Sequence, residues 1–435
     1  MFLARSTSSP RAAHTVRAAQ DAHVVRVEVF TAQLPFRFSF GHALAQRRSS
    51  ENVYVRLTLR GPLGTATGYG EGVPREYVTG ETVESAIAAL STRYAPAMLG
   101  QRCSTPEGAL AVLGDVAAAA APSAARALDL AARCAMELAF LDAAGRYFGQ
   151  SVRRWLGDGS AGGAVTYDAV IPLWPPRTLV PLALLCRLAG YRQIKLKVGQ
   201  DLAADLQRLH VLRRILGPAV DLRVDANCAW TADEALAALA CMRPYRISAV
   251  EQPVAAADLD GLRRITASVP EMVIVDESLR TVEEAALLAR TNACNAFNIR
   301  VSKCGGLLNS LRIARIAADA GLAVVVGAQV GESGLLSAAG RHLAAALPGV
   351  RYVEGSAGPL LLKEDLTVER VLPGRAGRAR PFDGPGLGVR VKETTLQKYT
   401  RLHRVFDVAP AATASALPRS HVTASAGALF PTTQG

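Results

Sequence analysis

From Lys197 onward, a charged residue ends one apolar stretch after another: Lys197, Asp225, Glu251, Asp276 and Lys303, spaced by 28, 26, 25 and 27 residues. Gln329 follows after another 26. The stretches are short and rich in β-branched residues (YRQIKLKV, DLRVDAN, ISAVEQ, MVIVDE, AFNIRVSK, AVVVGAQ), and the gaps hold helix-like runs such as EALAALACM and EEAALLAR. With AVTYDAVI before them and RYVEG after, eight such units run from about residue 164 to 355. Units of this length build parallel sheets. An open doubly wound sheet gathers its ligand groups at one switch point. A polar residue at the end of strand after strand is what a closed barrel turns into a ring, so a barrel is expected over residues 151–355.

Residues 24–33 (VVRVEVFTAQ) and 52–60 (NVYVRLTLR) alternate apolar and polar side chains, as half-buried antiparallel strands do. Between them PFRFSFGHALAQ reads as a loop. After GYGEGVPREYVTGET, Thr79 and Thr82 mark a helix start, and the chain is Ala-rich and helical to about 150, broken at Pro122. Residues 24–150 therefore read as an α+β unit, to which 356–398 return. Residues 399–435, dominated by Ala, Ser, Thr and Pro, are expected to be a disordered tail. Residues 1–23 read as a disordered extension. Its Arg-rich, acid-free start at 1–20 leaves a mitochondrial-type presequence as the alternative to a cytoplasmic protein.

The net charge of +12 invites a nucleic-acid reading, but its location does not support one. Ten of the twelve excess charges fall in residues 1–26 and 370–435, and the barrel is nearly neutral. No nucleic-acid partner is expected. No long apolar run free of charges offers a membrane span. Seven scattered cysteines without a CxxC pair suit neither a disulfide framework nor a zinc site.

A lone Asp or Lys after a strand is commonly a helix cap. Independent caps need not fall in register, and these do. Three carboxylates from consecutive strands form an oxygen-rich site for a hard cation such as Mg²⁺, with Mn²⁺ as the alternative. Lysines flank them on both sides. Removing a proton beside a carboxylate gives an enolate with two negative charges, which a divalent ion stabilises while an amine takes the proton. Lys195 and Lys197 share one face of a strand, so their repulsion should depress the pKa of one of them. His42 and His210 are isolated, and Cys304 reads as packing.

Taken together, IKLKVG (194–199), VDANCAW (224–230), VEQPV (250–254), VDES (275–278), NIRVSKCGGL (298–307), GYGEG (68–72) and PGLGV (385–389) resemble the enolase superfamily, in its muconate lactonizing enzyme subgroup. The resemblance covers roughly residues 24–395. It implies a modified (β/α)₇β TIM-type barrel with an α+β capping domain. It implies Asp225, Glu251 and Asp276 as metal ligands, with Asn227 and Glu277 as their partners. Lys197 and Lys303 would be the acid/base pair on opposite faces of the substrate, and Lys195 would hold the substrate carboxylate. Two cap loops, about 35–42 and 70–80, would select the substrate through Phe36, Phe38, Arg75 and Tyr77. Gln329, Glu332 and Glu354 are further candidates at the mouth. YVTGET and PLLLKEDL resemble the dipeptide epimerases of the subgroup, whose last strand carries Asp-x-Asp; here VEGSAG (353–358) offers only Glu354. The expected activity is a racemase or epimerase of a small carboxylate, in a homo-oligomer. A muconate-type cycloisomerase or an o-succinylbenzoate synthase-like lyase is the alternative, and a Schiff-base lysine aldolase or a non-catalytic binding barrel stands further off.

Overall fold

The structure is a computed structural model that describes residues 21–42, 45–121, 128–157, 163–408 and 421–422. The extension at 1–20 and most of the expected tail lie outside the described residues.

The first unit is an antiparallel sheet of β1 (Ala22–His42), β2 (Ala45–Gly61) and β3 (Gly64–Gly72). Alternation sets its inner face: Val27, Val29, Val53, Val55 and Leu57 are fully buried. The aromatic stretch expected as a loop is instead the far end of a long hairpin, with Phe40 opposite Arg47 and His42 opposite Ala45. Helix α1 (Leu130–Tyr147) lies across β3 and is buried almost all round. Gly68, Gly70 and Gly72 make this approach feasible, since a Cβ at Gly70 would run into the backbone of Ala135 and Ala139. That is the structural reason for GYGEG.

The second unit is an eight-stranded parallel sheet in sequential order. Its strands are β4 (Ala169–Ile171), β5 (Gln193–Lys197), β6 (Asp221–Asp225), β7 (Ile247–Glu251), β8 (Met272–Val275), β9 (Ala296–Arg300), β10 (Ala323–Gly327) and β11 (Tyr352–Val353). A backbone bond from Asp168 N to Val353 O, 2.8 Å, joins the last strand to the approach to the first. The AVTYDAVI stretch is not one strand. Val165–Thr166 pairs antiparallel with Arg378–Ala379, and only Ala169–Ile171 enters the parallel sheet.

Helices follow the strands: α2 (Pro176–Ala189), α3 (Leu202–Leu216), α4 (Ala232–Met242), α5 (Leu259–Ser268), α6 (Val282–Arg290), α7 (Leu307–Asp319) and α8 (Gly334–Ala346). Their starts are written locally. Thr231 with Glu234 and Thr281 with Glu284 form capping boxes, and Asp201 and Asp258 cap α3 and α5.

Buried carboxylates of the first unit hold the starts of barrel helices. Glu71, between two glycines of β3, accepts from Ser333 Oγ at 2.6 Å and from Leu336 N at 3.1 Å, capping α8. Glu137 on α1 accepts from Leu308 N at 3.1 Å, at the start of α7. After the barrel the chain comes back to the first sheet, with Lys363 N bonded to Pro35 O and Leu387 N to Asp142 on α1.

The tail is corrected in one stretch. β12 (Thr400–Asp407) pairs with β1 from Arg26 to Ala32, and β13 (His421–Val422) pairs with β12. The stretch is held by side chains as well as backbone. Arg26 bonds Asp407, His403 stacks on Phe30 with ring centroids 4.3 Å apart, and its Nε2 lies 3.1 Å from Glu28.

Candidate active site

The ring expected from spacing is present. Parallel register pairs Lys197 with Asp225 and Asp225 with Glu251, and Asp276 follows directly on β8. Asp225, Glu251 and Asp276 are all fully buried. Lys197 Nζ donates to Asp225 Oδ2 at 3.0 Å and to Asn227 Oδ1 at 2.6 Å. Lys195 Nζ lies 3.2 Å from Asp225 and from Glu251, and 2.8 Å from Glu354 Oε2. Four strands further round, Lys303 Nζ donates to the backbone oxygen of Asp276 at 2.6 Å, its Oδ1 at 2.8 Å, and Asn298 O at 2.9 Å. In a ring of eight, four steps is the opposite side. Asn227 Nδ2 donates to Glu277 Oε1 at 3.1 Å, linking the two residues that the resemblance cast as ligand partners.

A cavity of about 370 Å³ opens above this ring. Lys195, Lys197, Asn227, Glu277, Gln329, Glu332, Glu354 and Tyr77 line it. Lys303 does not; it is fully buried behind Asp276. Three substrate candidates also fall elsewhere. Phe36 is buried and bridges Leu362. Phe38 is exposed, edge-on to Trp174 at 6.4 Å. Arg75 is buried among Ser50, Asn52 and the backbone of Glu51 and Pro74, where it braces the hairpin.

Electrostatics depart from the sequence expectation in one respect. Burial works against the charge of Lys195, but Glu251, Glu354 and Asp225 outweigh it and raise its pKa. Lys195 is therefore held as a cation, the opposite of the depression expected from lysine–lysine repulsion. Burial also pushes Asp225 up, and Lys197 and Lys195 overcome it and leave it below the usual carboxylate range. Where neighbouring carboxylates add to burial, burial wins: Glu251 is pushed up to about 7, Glu277 to about 8 and Glu332 to about 8.

Three residues that sequence reasoning missed complete the site. Arg300 lines the cavity, pairs with Asp276 and lies 3.6 Å from Glu251. Asn298 donates to Glu251 Oε1 at 2.9 Å. Arg223, fully buried, pairs with Asp168 at 2.5 Å and with Glu354, with Tyr352 stacked 4.2 Å from its guanidinium carbon. A readable signal existed. Arg223 and Asp225, like Asn298 and Arg300, sit two apart on strands and so share the inward face.

Comparison with known proteins identifies the family. A family model described as "Enolase C-terminal domain-like" matches residues 182–395. The chain is 29% identical to the N-succinyl-L-Arg/Lys racemase of Bacillus cereus, over 87% of this chain and 98% of that one, and the crystal structure of that racemase superposes with a TM-score of 0.79. It is 30% identical to muconate cycloisomerase 1 of Rhodococcus opacus, over 88% of this chain and 99% of the relative. The crystal structure of a dipeptide epimerase from Enterococcus faecalis, complexed with Mg and L-Leu-L-Tyr, gives a TM-score of 0.74 at 26% identity, covering 84% of this chain and 99% of the other. A ring of carboxylates between opposed lysines, on a barrel shared along nearly the whole length of these relatives, places the chain in the enolase superfamily, in its mandelate racemase and muconate lactonizing enzyme family, as one of that family's isomerases.

Proposed function

We propose that the protein is a Mg²⁺-dependent racemase or epimerase that exchanges the α-proton of an amino-acid carboxylate whose nitrogen is acylated. Glu354 carries the substrate class. Lys195 takes its Oε2 and Arg223 its Oε1, so the one acid of VEGSAG is spent inside the protein. A free substrate ammonium would find no carboxylate there, whereas an amide nitrogen needs none. The similarity to an N-succinyl-amino-acid racemase points the same way.

The residues fit a divalent ion by chemistry. Asp225, Glu251 and Asp276 are buried oxygen donors at the ends of three consecutive strands. Among the described residues no three carboxylates converge on one point; each is turned onto a lysine or an arginine. Asp225, Glu251 and Asp276 would hold the ion, Mg²⁺ or alternatively Mn²⁺, and once bound it supplies stabilisation of the second enolate charge.

The remaining work falls to this chain's own side chains. Lys197 lines the cavity with its amine oriented by Asn227, and as the neutral amine it takes the α-proton from one face of the substrate. Lys303, across the ring, returns a proton to the other face, which inverts the carbon. Reaching the substrate requires its amine to leave Asp276 for the cavity. Lys195, held as a cation, attracts the substrate carboxylate.

The test is α-proton loss in D₂O, followed by NMR across N-acylamino acids, free dipeptides and muconate. N-acylamino acids should exchange, and chelation should stop the exchange. Lys303→Ala should lose racemisation by a hundredfold or more, roughly the worth of a general acid, while still exchanging one enantiomer. Racemisation at the wild-type rate in that variant, or faster exchange of free-amine dipeptides, would sink the reading. Lactone formation from muconate would establish the cycloisomerase instead, and elimination of water from an o-succinylbenzoate precursor the lyase.

A further inference from the structure

The cavity does not stop inside the barrel. Register pairs Val170 with Lys195, which puts Val170 on the inward face of β4 and Ala169 on the outward face. Both line the same cavity, together with Leu182, Leu185 and Cys186 of α2, which packs outside the sheet. The void therefore passes through the barrel wall beside β4. The wall is thin there. β4 has three residues and β11 two, and the backbone bond that spans them is Asp168 N to Val353 O. Ala169 and Val170 are only partly buried, whereas β9 is buried throughout.

The opening has a sequence cause. The chain leaving β11 reads Gly355-Ser356-Ala357-Gly358, four small residues, with Gly355 at φ 101° and Ser356 at φ 52°. All four line the cavity and none has the bulk to close it. Beyond them the walls are apolar. α2 forms one side and Leu360, Leu361, Leu372 and Pro373 form the other, with no charged side chain among the outer lining residues. Leu185, at the rim, is 61% exposed, and Leu184 and Leu188 beside it are exposed too. The result is one continuous site with a charged head and an apolar tail.

We propose that this seam receives an apolar chain carried by the substrate, a medium- or long-chain N-acyl group. Its amide lies at the lysines, and its tail leaves the barrel between β4 and the Gly355–Gly358 turn to lie against α2. The inference rests on the N-acylamino acid reading for its head group. It adds that the acyl chain is apolar and is recognised outside the barrel mouth. A cavity of this size suits such a ligand.

The experiment is calorimetric binding of N-acetyl-, N-hexanoyl- and N-decanoyl-alanine, with α-proton exchange in D₂O measured on the same compounds. Binding should tighten with chain length, by up to about fourfold per methylene buried. Leu185→Glu makes the exit polar and Ala357→Trp plugs the gap. Both positions are exposed, and both substitutions should flatten the dependence on chain length. Leu63→Glu, a comparably exposed leucine in the turn between β2 and β3, should leave the slope as it is. Binding independent of chain length in the wild type, or a slope undiminished in both seam variants, overturns the proposal. So does a Leu185→Glu variant that changes only its oligomeric state, since the rim is then a subunit contact. Tightening with length but no exchange for any compound leaves the groove standing and removes the catalytic reading. Exchange of N-acetylalanine with flat binding does the reverse.

Discussion

Arg223 shows how much of this site is structural electrostatics. Its guanidinium is fully buried and bridges Asp168 and Glu354, which come from opposite sides of the barrel seam. Burial pushes Asp168 up to about 7, whereas in Glu354 the pull of Lys195 and Arg223 outweighs burial and holds it at about 2. Removing the arginine leaves buried Asp168 without its cation and Glu354 with Lys195 alone. Arg223→Met should therefore cost about 3–5 kcal/mol of stability, as broken buried pairs do, measured by urea denaturation. Lysine is a point charge and cannot fork between two carboxylates, so Arg223→Lys should recover only part of the loss. The triple change with Asp168→Asn and Glu354→Gln should be less destabilised than Arg223→Met alone. If it is equally unstable, the charges are not the reason Arg223 is there.

At the scale of elements, β3 and α1 make a sharper case. Three glycines on one face of β3 let α1 lie directly against the strand, and a methyl at Gly70 meets backbone, which cannot rotate away. Gly70→Ala should destabilise by about 1–3 kcal/mol, the usual cost of overpacking. Gly114 sits in the helix Pro106–Ala119 with nothing near its missing Cβ, so Gly114→Ala should stabilise by about 0.5–1 kcal/mol. Opposite signs in one chemical denaturation series check the argument. Elements also show what a sequence reveals. The charged strand ends were legible because one βα unit consumes a nearly fixed length of chain, so covalent geometry carries the register. β12 was not. TRLHRVFD is half-exposed and its partners on β1 lie 368 to 381 residues away, so nothing local marks it as a strand. The partners of Glu354 were hidden for the same reason: Lys195 and Arg223 reach it across 159 and 131 residues.

The whole molecule depends on joints between its two units, and one of them titrates. Glu137 comes from α1 and holds the start of α7 in the barrel. Burial pushes it up to about 7, with Arg133 and the helix amides only partly offsetting this. A carboxyl whose folded pKa is raised binds its proton more tightly folded than unfolded. Its stabilising contribution is full below the ordinary value of 4.5 and is lost as pH rises to about 7. Other groups move with pH as well. His342, pushed down to about 4 by burial, acts with the opposite sign below its ordinary value of 6.5. Comparing wild type with Glu137→Gln at each pH cancels them, because glutamine keeps the shape of the protonated acid and cannot ionise. The glutamine variant should be ahead by less than about 1 kcal/mol at pH 5. By pH 8 the glutamine variant should be the more stable by roughly 2–3 kcal/mol, the worth of a shift of this size. Urea melts at the two pH values measure it directly. A difference that does not change between pH 5 and 8 would mean that Glu137 ionises alike in both states and that the joint is held by packing alone.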